Sequence, residues 1–209
     1  MHEKALPQHS LELLKSLADA TVPALDGWTL AGGTGLALRF GHRSSEDLDF
    51  FRTDDMDVRD LHPALKPYGP YETLQESDHT LTVILRGTKL SFFRIRDPFI
   101  FDATPFRFFA IADTKDIALM KLVAISGRGS RKDFVDMHFI LRDGPSLQDY
   151  FALLPDKYGA DRINTYHILK SLTYFADAEA EPMPRMLEPF DWAECKAFFV
   201  REARTIVLG

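Results

Sequence analysis

Apolar positions follow two rhythms along this chain, and the change between them falls near residue 110. Leu11, Leu14 and Ala18 recur at helical spacing within SLELLKSLADA, residues 10–20, with Ser10 placed to cap that helix. GWTLA, residues 27–31, predicts a short buried strand running into a Gly-Gly turn. Residues 34–40 predict a short helix with Leu36, Ala37 and Phe40 inward, and residues 47–51 a strand in which polar and apolar side chains alternate. A polar, acidic stretch follows at 54–60 as loop into helix. TLTVILRGTKLSFFRI, residues 80–95, holds two β-rich runs around Arg86-Gly87-Thr88, hence a hairpin. Beyond residue 110 the rhythm is helical throughout. One helix starts at Asp113, with Asp116 in the capping-box position, and ends near Gly127 and Gly129. A second starts around Arg131; others are predicted over 147–154, 163–175 and 192–207. Residues 178–189, with three prolines and no helical period, form the one clear linker.

These elements predict an α+β chain. A small mixed sheet with flanking helices occupies 1–110, and a helical region over 111–209 packs on it and completes the site. The apolar share is 45% and the charged share 27%, with 17 Phe, an ordinary globular balance with ample core material. A net charge of −6 argues against a general polyanion coat but leaves room for a local basic site. One cysteine, Cys195, excludes an internal disulfide framework and a cysteine-rich zinc site. The first twenty residues do not read as a signal peptide, and no apolar run approaches membrane-spanning length. The expectation is a soluble, cytoplasmic protein with no membrane partner.

The densest chemistry lies in LAGGTGLALRFGHRSSEDLDFF, residues 30–51. Alternate residues of a strand share a face, so Asp47 and Asp49 point one way and Leu48 and Phe50 the other. Their backbones stand about 6–7 Å apart. Their oxygens can converge on one hard cation, and Mg2+ is commonly held by one or two carboxylates plus waters and substrate phosphates. Gly32-Gly33-Thr34 sits at a strand-to-helix junction, where glycine lets backbone N–H groups approach a phosphate and the helix N-terminus favours its charge. A plain turn beside a solvated acidic strand end is the bland alternative for either half taken alone.

Gly32-Gly33-Thr34 followed by Asp47-Leu48-Asp49 resembles the signature of the DNA polymerase β-like nucleotidyltransferase fold. The fuller string is similar to the first landmark of the AbiEii/AbiGii toxin family, nucleotidyltransferase-like toxins of abortive-infection toxin–antitoxin pairs. That landmark takes in Arg43 and Ser45 as well.

KLVAISGRGSRKDFVDMHFI, residues 121–140, carries a second constellation. Lys121, Ile125 and Arg128 share one helix face, and Asp133 and Asp136 share a face of the next. An inter-helix ion-pair network is one reading of this pattern. The other is the family's second landmark, which the string matches except that Met137 stands where Leu is usual. The likeness extends over about residues 10–205.

By this resemblance Mg2+ on Asp47 and Asp49 would bridge a nucleoside triphosphate (NTP). Gly32, Gly33 and Thr34, with Arg43 and Ser45, would hold the nucleotide. Lys121 and Arg128 would neutralise its phosphates, and Asp133 would act near the attacking group. The acceptor implied is an RNA such as a tRNA end, and a cognate antitoxin is implied with it. The usual third carboxylate is missing: Ser91 stands in KLSFFRI where an acid would point the same way. Either two acids suffice, or Asp133 supplies the third ligand, or the metal site is single. The rival functions are a nucleotide-binding protein that has lost transfer, and a metal-dependent nuclease. RNA contact is expected through Arg39, Arg43, Lys121, Arg128, Arg131 and Lys132. His138 and Cys195 read as core residues, and the Phe-rich run 92–109 as core strands.

Overall fold

The computed structural model describes residues 1–208. The chain divides into two compact units, Met1–Asp113 and the chain from Thr114 onward. In the first, helix α1 (Gln8–Asp19) leads to strand β1 (Thr29–Leu30), helix α2 (Gly32–Phe40) and strand β2 (Leu48–Arg52). Helix α3 (Leu61–Leu65) follows, then strands β3 (Tyr71–Ser77), β4 (Thr80–Leu85), β5 (Thr88–Arg94), β6 (Thr104–Phe106) and β7 (Phe109–Ile111). The sheet order is β3-β4-β5-β2-β1-β7-β6. Strands β2 and β5 are parallel, as are β1 and β7; the other neighbouring pairs are antiparallel.

Alternation along the central strands separates two faces. Leu48 and Phe50, Leu90 and Phe92, and Leu81 and Val83 are buried in the core beside Leu13, Leu14 and Leu17 of α1. Phe92 stacks on Phe50 at 5.2 Å between ring centres and meets Trp28 edge-on at 5.0 Å. The Arg86-Gly87 turn of the expected hairpin has positive φ at both residues (51° and 79°), the geometry that matches strand twist.

Several boundaries differ from the expected ones. Ser10 does not cap α1, which starts at Gln8; it lies buried inside the helix, its Oγ 3.1 Å from Thr88 Oγ1. The helix after the Gly-Gly turn begins at Gly32, not Thr34, and β2 begins at Leu48, leaving Asp47 at its threshold.

The second unit is helical: α4 (Thr114–Arg128), α5 (Arg131–Asp143), α6 (Leu147–Tyr158), α7 (Thr165–Ser171), α8 (Ala176–Ala180) and α9 (Trp192–Ala203). The helix expected over 163–175 is shorter: Asn164 caps α7 through His167 N–H at 2.9 Å, and the chain turns after Ser171 before α8 begins. The last helix ends at Ala203 rather than 207. Its core is aromatic, with Phe134 against Phe175, Trp192 and Phe199. Cys195 is fully buried there, and burial pushes its thiol up to about 12, so it remains a neutral apolar filler. His138 is half-buried among Phe139, Phe190 and Phe198. Burial, with Arg142 nearby, holds its imidazole below the ordinary range.

Candidate active site

Strand β1 runs antiparallel to β2, pairing Leu30 with Phe50, and Ala31 N–H donates to the Asp49 carbonyl at 3.0 Å. The chain then turns directly into α2 beside the acidic strand. Gly32 has φ +63°, and a Cβ there would stand 3.2 Å from Asp49 Oδ2. Glycine at this position therefore serves two needs, a left-handed backbone and room for a carboxylate. Ala31, the N-cap of α2, makes no side-chain capping bond. The first N–H groups of α2 form the positive end of the helix dipole, close to Asp49.

Thr34 and Ser45 are buried and bond each other, Oγ1 to Oγ at 2.7 Å, and Thr34 Oγ1 also donates to the Asp47 carbonyl. They tie the start of α2 to the approach of β2, so both act on the site by holding its backbone. Arg43 is 4% exposed and donates through Nη1 to the Ser44 carbonyl at 3.0 Å. It is packed inside this loop beside the fully buried His42.

The register of β2 and β5 sets Asp49 beside Ser91. Ser91 is buried, as is Thr82, its partner on β4. Lys89, two residues before Ser91, brings Nζ to 3.7 Å from Asp47 Oδ2, with both side chains about half exposed. Phe51 stacks on Phe93 at 5.2 Å, one step further along the same face. The acidic face thus reads Asp47, Asp49, Phe51 on one strand and Lys89, Ser91, Phe93 on the next. Lys89 and the Phe51–Phe93 pair were not singled out from the sequence. Counting by twos from Ser91 puts Lys89 and Phe93 on its face, and the β2–β5 register sets them beside Asp47 and Phe51.

Among the described residues no group of three or more His, Cys, Asp or Glu is arranged to hold a metal ion. The donor set on this face is two carboxylates. That fits a hard cation which keeps waters and completes its shell from substrate phosphates, and it does not fit an all-protein cage.

In the second unit the structure brings Lys121, Arg128, Asp133 and Asp136 together. Lys121 Nζ lies 2.7 Å from Asp133 Oδ1 and 2.6 Å from Asp136 Oδ2. Arg128 grips Asp133 with two bonds, Nε to Oδ2 at 2.7 Å and Nη2 to Oδ1 at 2.9 Å. Both carboxylates have no exposed side-chain surface, Lys121 is 6% exposed and Arg128 66%. Burial pushes the Asp133 carboxyl up, but Lys121 and Arg128 outweigh it and hold it below the ordinary range. A second buried pair, Lys157 Nζ to Asp116 Oδ1 at 2.7 Å, ties α6 to the start of α4. Asp116 therefore has a buried task besides any part in capping.

Comparison with known proteins gives this geometry a family. A family model described as the nucleotidyl transferase AbiEii toxin of type IV toxin–antitoxin systems matches residues 15–105. An uncharacterized protein of Aquifex aeolicus strain VF5 is 39% identical over 180 residues, 84% of this chain and 85% of that protein. MenT4, a nucleotidyltransferase toxin of Mycobacterium tuberculosis H37Rv, superposes with a TM-score of 0.56 at 16% identity, over 95% of this chain and 86% of that one. JHP933 of Helicobacter pylori superposes with a TM-score of 0.53 at 20% identity, over 97% of this chain and 89% of that one. At these identities the two structures speak for the fold. The Gly-Gly turn and the Asp47–Asp49 strand both lie within the stretch that the model matches: over residues 15–105 this chain carries the sequence pattern of the AbiEii nucleotidyltransferase toxin family.

Proposed function

We propose that the protein transfers a nucleotide from a magnesium-bound NTP to a hydroxyl at an RNA end, such as that of a tRNA: the hydroxyl oxygen gives up its proton, bonds the α-phosphorus and displaces pyrophosphate. The observation that carries this reading is the approach of Gly32 to Asp49 Oδ2, which sets an uncapped helix start against paired carboxylates. Asp47 and Asp49 would hold Mg2+, which supplies charge neutralisation at the phosphates and the acidity that makes an attacking hydroxyl a better nucleophile. The backbone N–H groups of Gly33 and Thr34 belong to the first turn of α2 and suit phosphate oxygens. Thr34 and Ser45 keep that backbone in place, and Lys89 lends a positive charge beside Asp47. Such transfer rests on positioning and electrostatics, which this rigid strand-turn-helix supplies. The family implies a cognate antitoxin.

A second reading is a nucleotide binder without transfer. Ser91 favours it, because its register beside Asp49 puts a hydroxyl where a third carboxylate would stand.

Purified protein is to be mixed with magnesium, each α-labelled NTP in turn and total cellular RNA, beside an Asp47→Ala/Asp49→Ala control. Label should enter a discrete RNA species and fall at least about 100-fold in the control, the scale of losing a charge-stabilising group at such a site. NTP binding without label in RNA would establish the second reading instead.

A further inference from the structure

Most of the cations expected to meet RNA are already engaged. Arg39 donates to the carbonyls of Ile111 and Ala112, at 3.1 and 3.0 Å. Lys121 lies between two carboxylates. Arg131 donates to the carbonyls of Ala178 and Glu179 and lies over the Trp192 ring at 5.0 Å. A polyanion needs cations that reach solvent.

In the helical unit such groups gather around one cavity of about 330 Å3, between the turn joining α4 to α5 and helix α7. Arg128, His167, Lys170, Tyr174 and Asp177 line it, with Ile125 as apolar floor. The Arg128 side chain is 66% exposed and Tyr174 58%. His167 is tethered to the last turn of α4 through Nε2, 3.2 Å from the Ser126 carbonyl. Gly129 shapes this rim: its φ is +56°, and a Cβ there would meet Asp177 at 3.6 Å.

The volume is at the small end of ligand sites, about 300–1,000 Å3, and suits one nucleotide unit. Arg128 and Lys170 suit its phosphate and the Tyr174 ring its base, while Asp177 can accept from an exocyclic amino group. A stacking ring next to cations is how unpaired nucleotides are held; a duplex keeps its bases stacked inside. We propose that this cavity is a subsite for a nucleotide of single-stranded RNA, contacted through Lys170, Tyr174 and Arg128. The choice of RNA rests on the transfer reading above; the cation, ring and carboxylate chemistry does not.

The test uses the full chain and a short single-stranded RNA carrying a fluorescein label, followed by anisotropy across a salt series. Calorimetric titration with each NTP and magnesium runs in parallel. Tyr174→Ala should weaken RNA binding at least about fivefold, and Tyr174→Phe should restore it. Lys170→Gln should lower the slope of log affinity against log salt by about 0.7, one phosphate contact on a single strand. NTP binding should not move. Both side chains are exposed, and a thermal melt of each variant checks the fold. Unchanged RNA affinity and salt slope would overturn the proposal. So would weakened NTP binding in the same variants, which would give the cavity to the donor nucleotide. If RNA binding responds as expected while no label is ever incorporated, the subsite stands and the transfer reading falls.

Discussion

Lys121 sets one ammonium between two carboxylates that have no exposed surface of their own. Attraction holds such a trio only while every charge is answered. Lys121→Met would leave Asp133 with Arg128 alone and weaken the answer to Asp136, and the expected loss is about 3–5 kcal/mol of stability. Arg128→Met removes a mostly exposed partner, and about 1 kcal/mol or less is expected. Urea unfolding of both variants at neutral pH reads the difference. The pH dependence follows from Asp133. Its folded pKa lies below the unfolded value of about 3.9, so its stabilisation is complete above that pH. It is lost as pH falls through the lower, folded value. Lys121→Met should flatten this acid limb of the stability curve, and an unchanged limb would count against the network as its source. The sequence showed that these four side chains share facing helix surfaces. It could not show that both acids would be wholly buried, because burial depends on what else packs over them.

Among elements, the turn from β1 into α2 carries the sharpest expectation. Gly32→Ala adds a Cβ in left-handed backbone, a cost of about 1–2 kcal/mol, and presses that Cβ toward Asp49 Oδ2. Labelling activity should fall well beyond what the small stability loss explains. Circular dichroism melting beside the incorporation assay separates the two effects, and equal losses in both would remove the special role of this contact. The Gly-Gly turn and the alternation through Asp49 were readable because turn chemistry and period two are local signals. The same holds for the β4–β5 hairpin. Strand β3 gave no such signal: its residues, YETLQES, are exposed on both sides from Glu72 to Ser77, so no apolar alternation marks it. The break between α7 and α8 was hidden for the opposite reason, since apolar spacing continues through residues that turn. Lys89 and Ser91 became neighbours of the acids only through the parallel pairing of β2 with β5, a long-range register that no local pattern encodes.

At the level of the whole molecule, the order of sheet first and helices after was legible, and no helix among the described residues is long and apolar enough to cross a membrane. Under the proposed transfer, a chain of net charge −6 would concentrate its positive charge locally and borrow more from a metal. Magnesium with NTP should therefore raise the melting temperature. A ligand at a hundredfold excess over its Kd adds about 2.7 kcal/mol. Asp47→Ala/Asp49→Ala should remove that shift, and a shift that survived would move the metal elsewhere. The sheet also has two open edges, β3 and β6. An open edge is a template on which a second copy could add a strand and begin a fibre. Strand β6 is three residues long with Pro105 at its centre, so it lacks one of the donors such growth needs. Strand β3 is longer, but its ladder slips between Thr73 and Gln75, and Glu72 and Glu76 stand along it. Two copies meeting there would set carboxylate against carboxylate across a bent rail. Both edges of the sheet are thus poor templates for strand addition by a second copy of this chain.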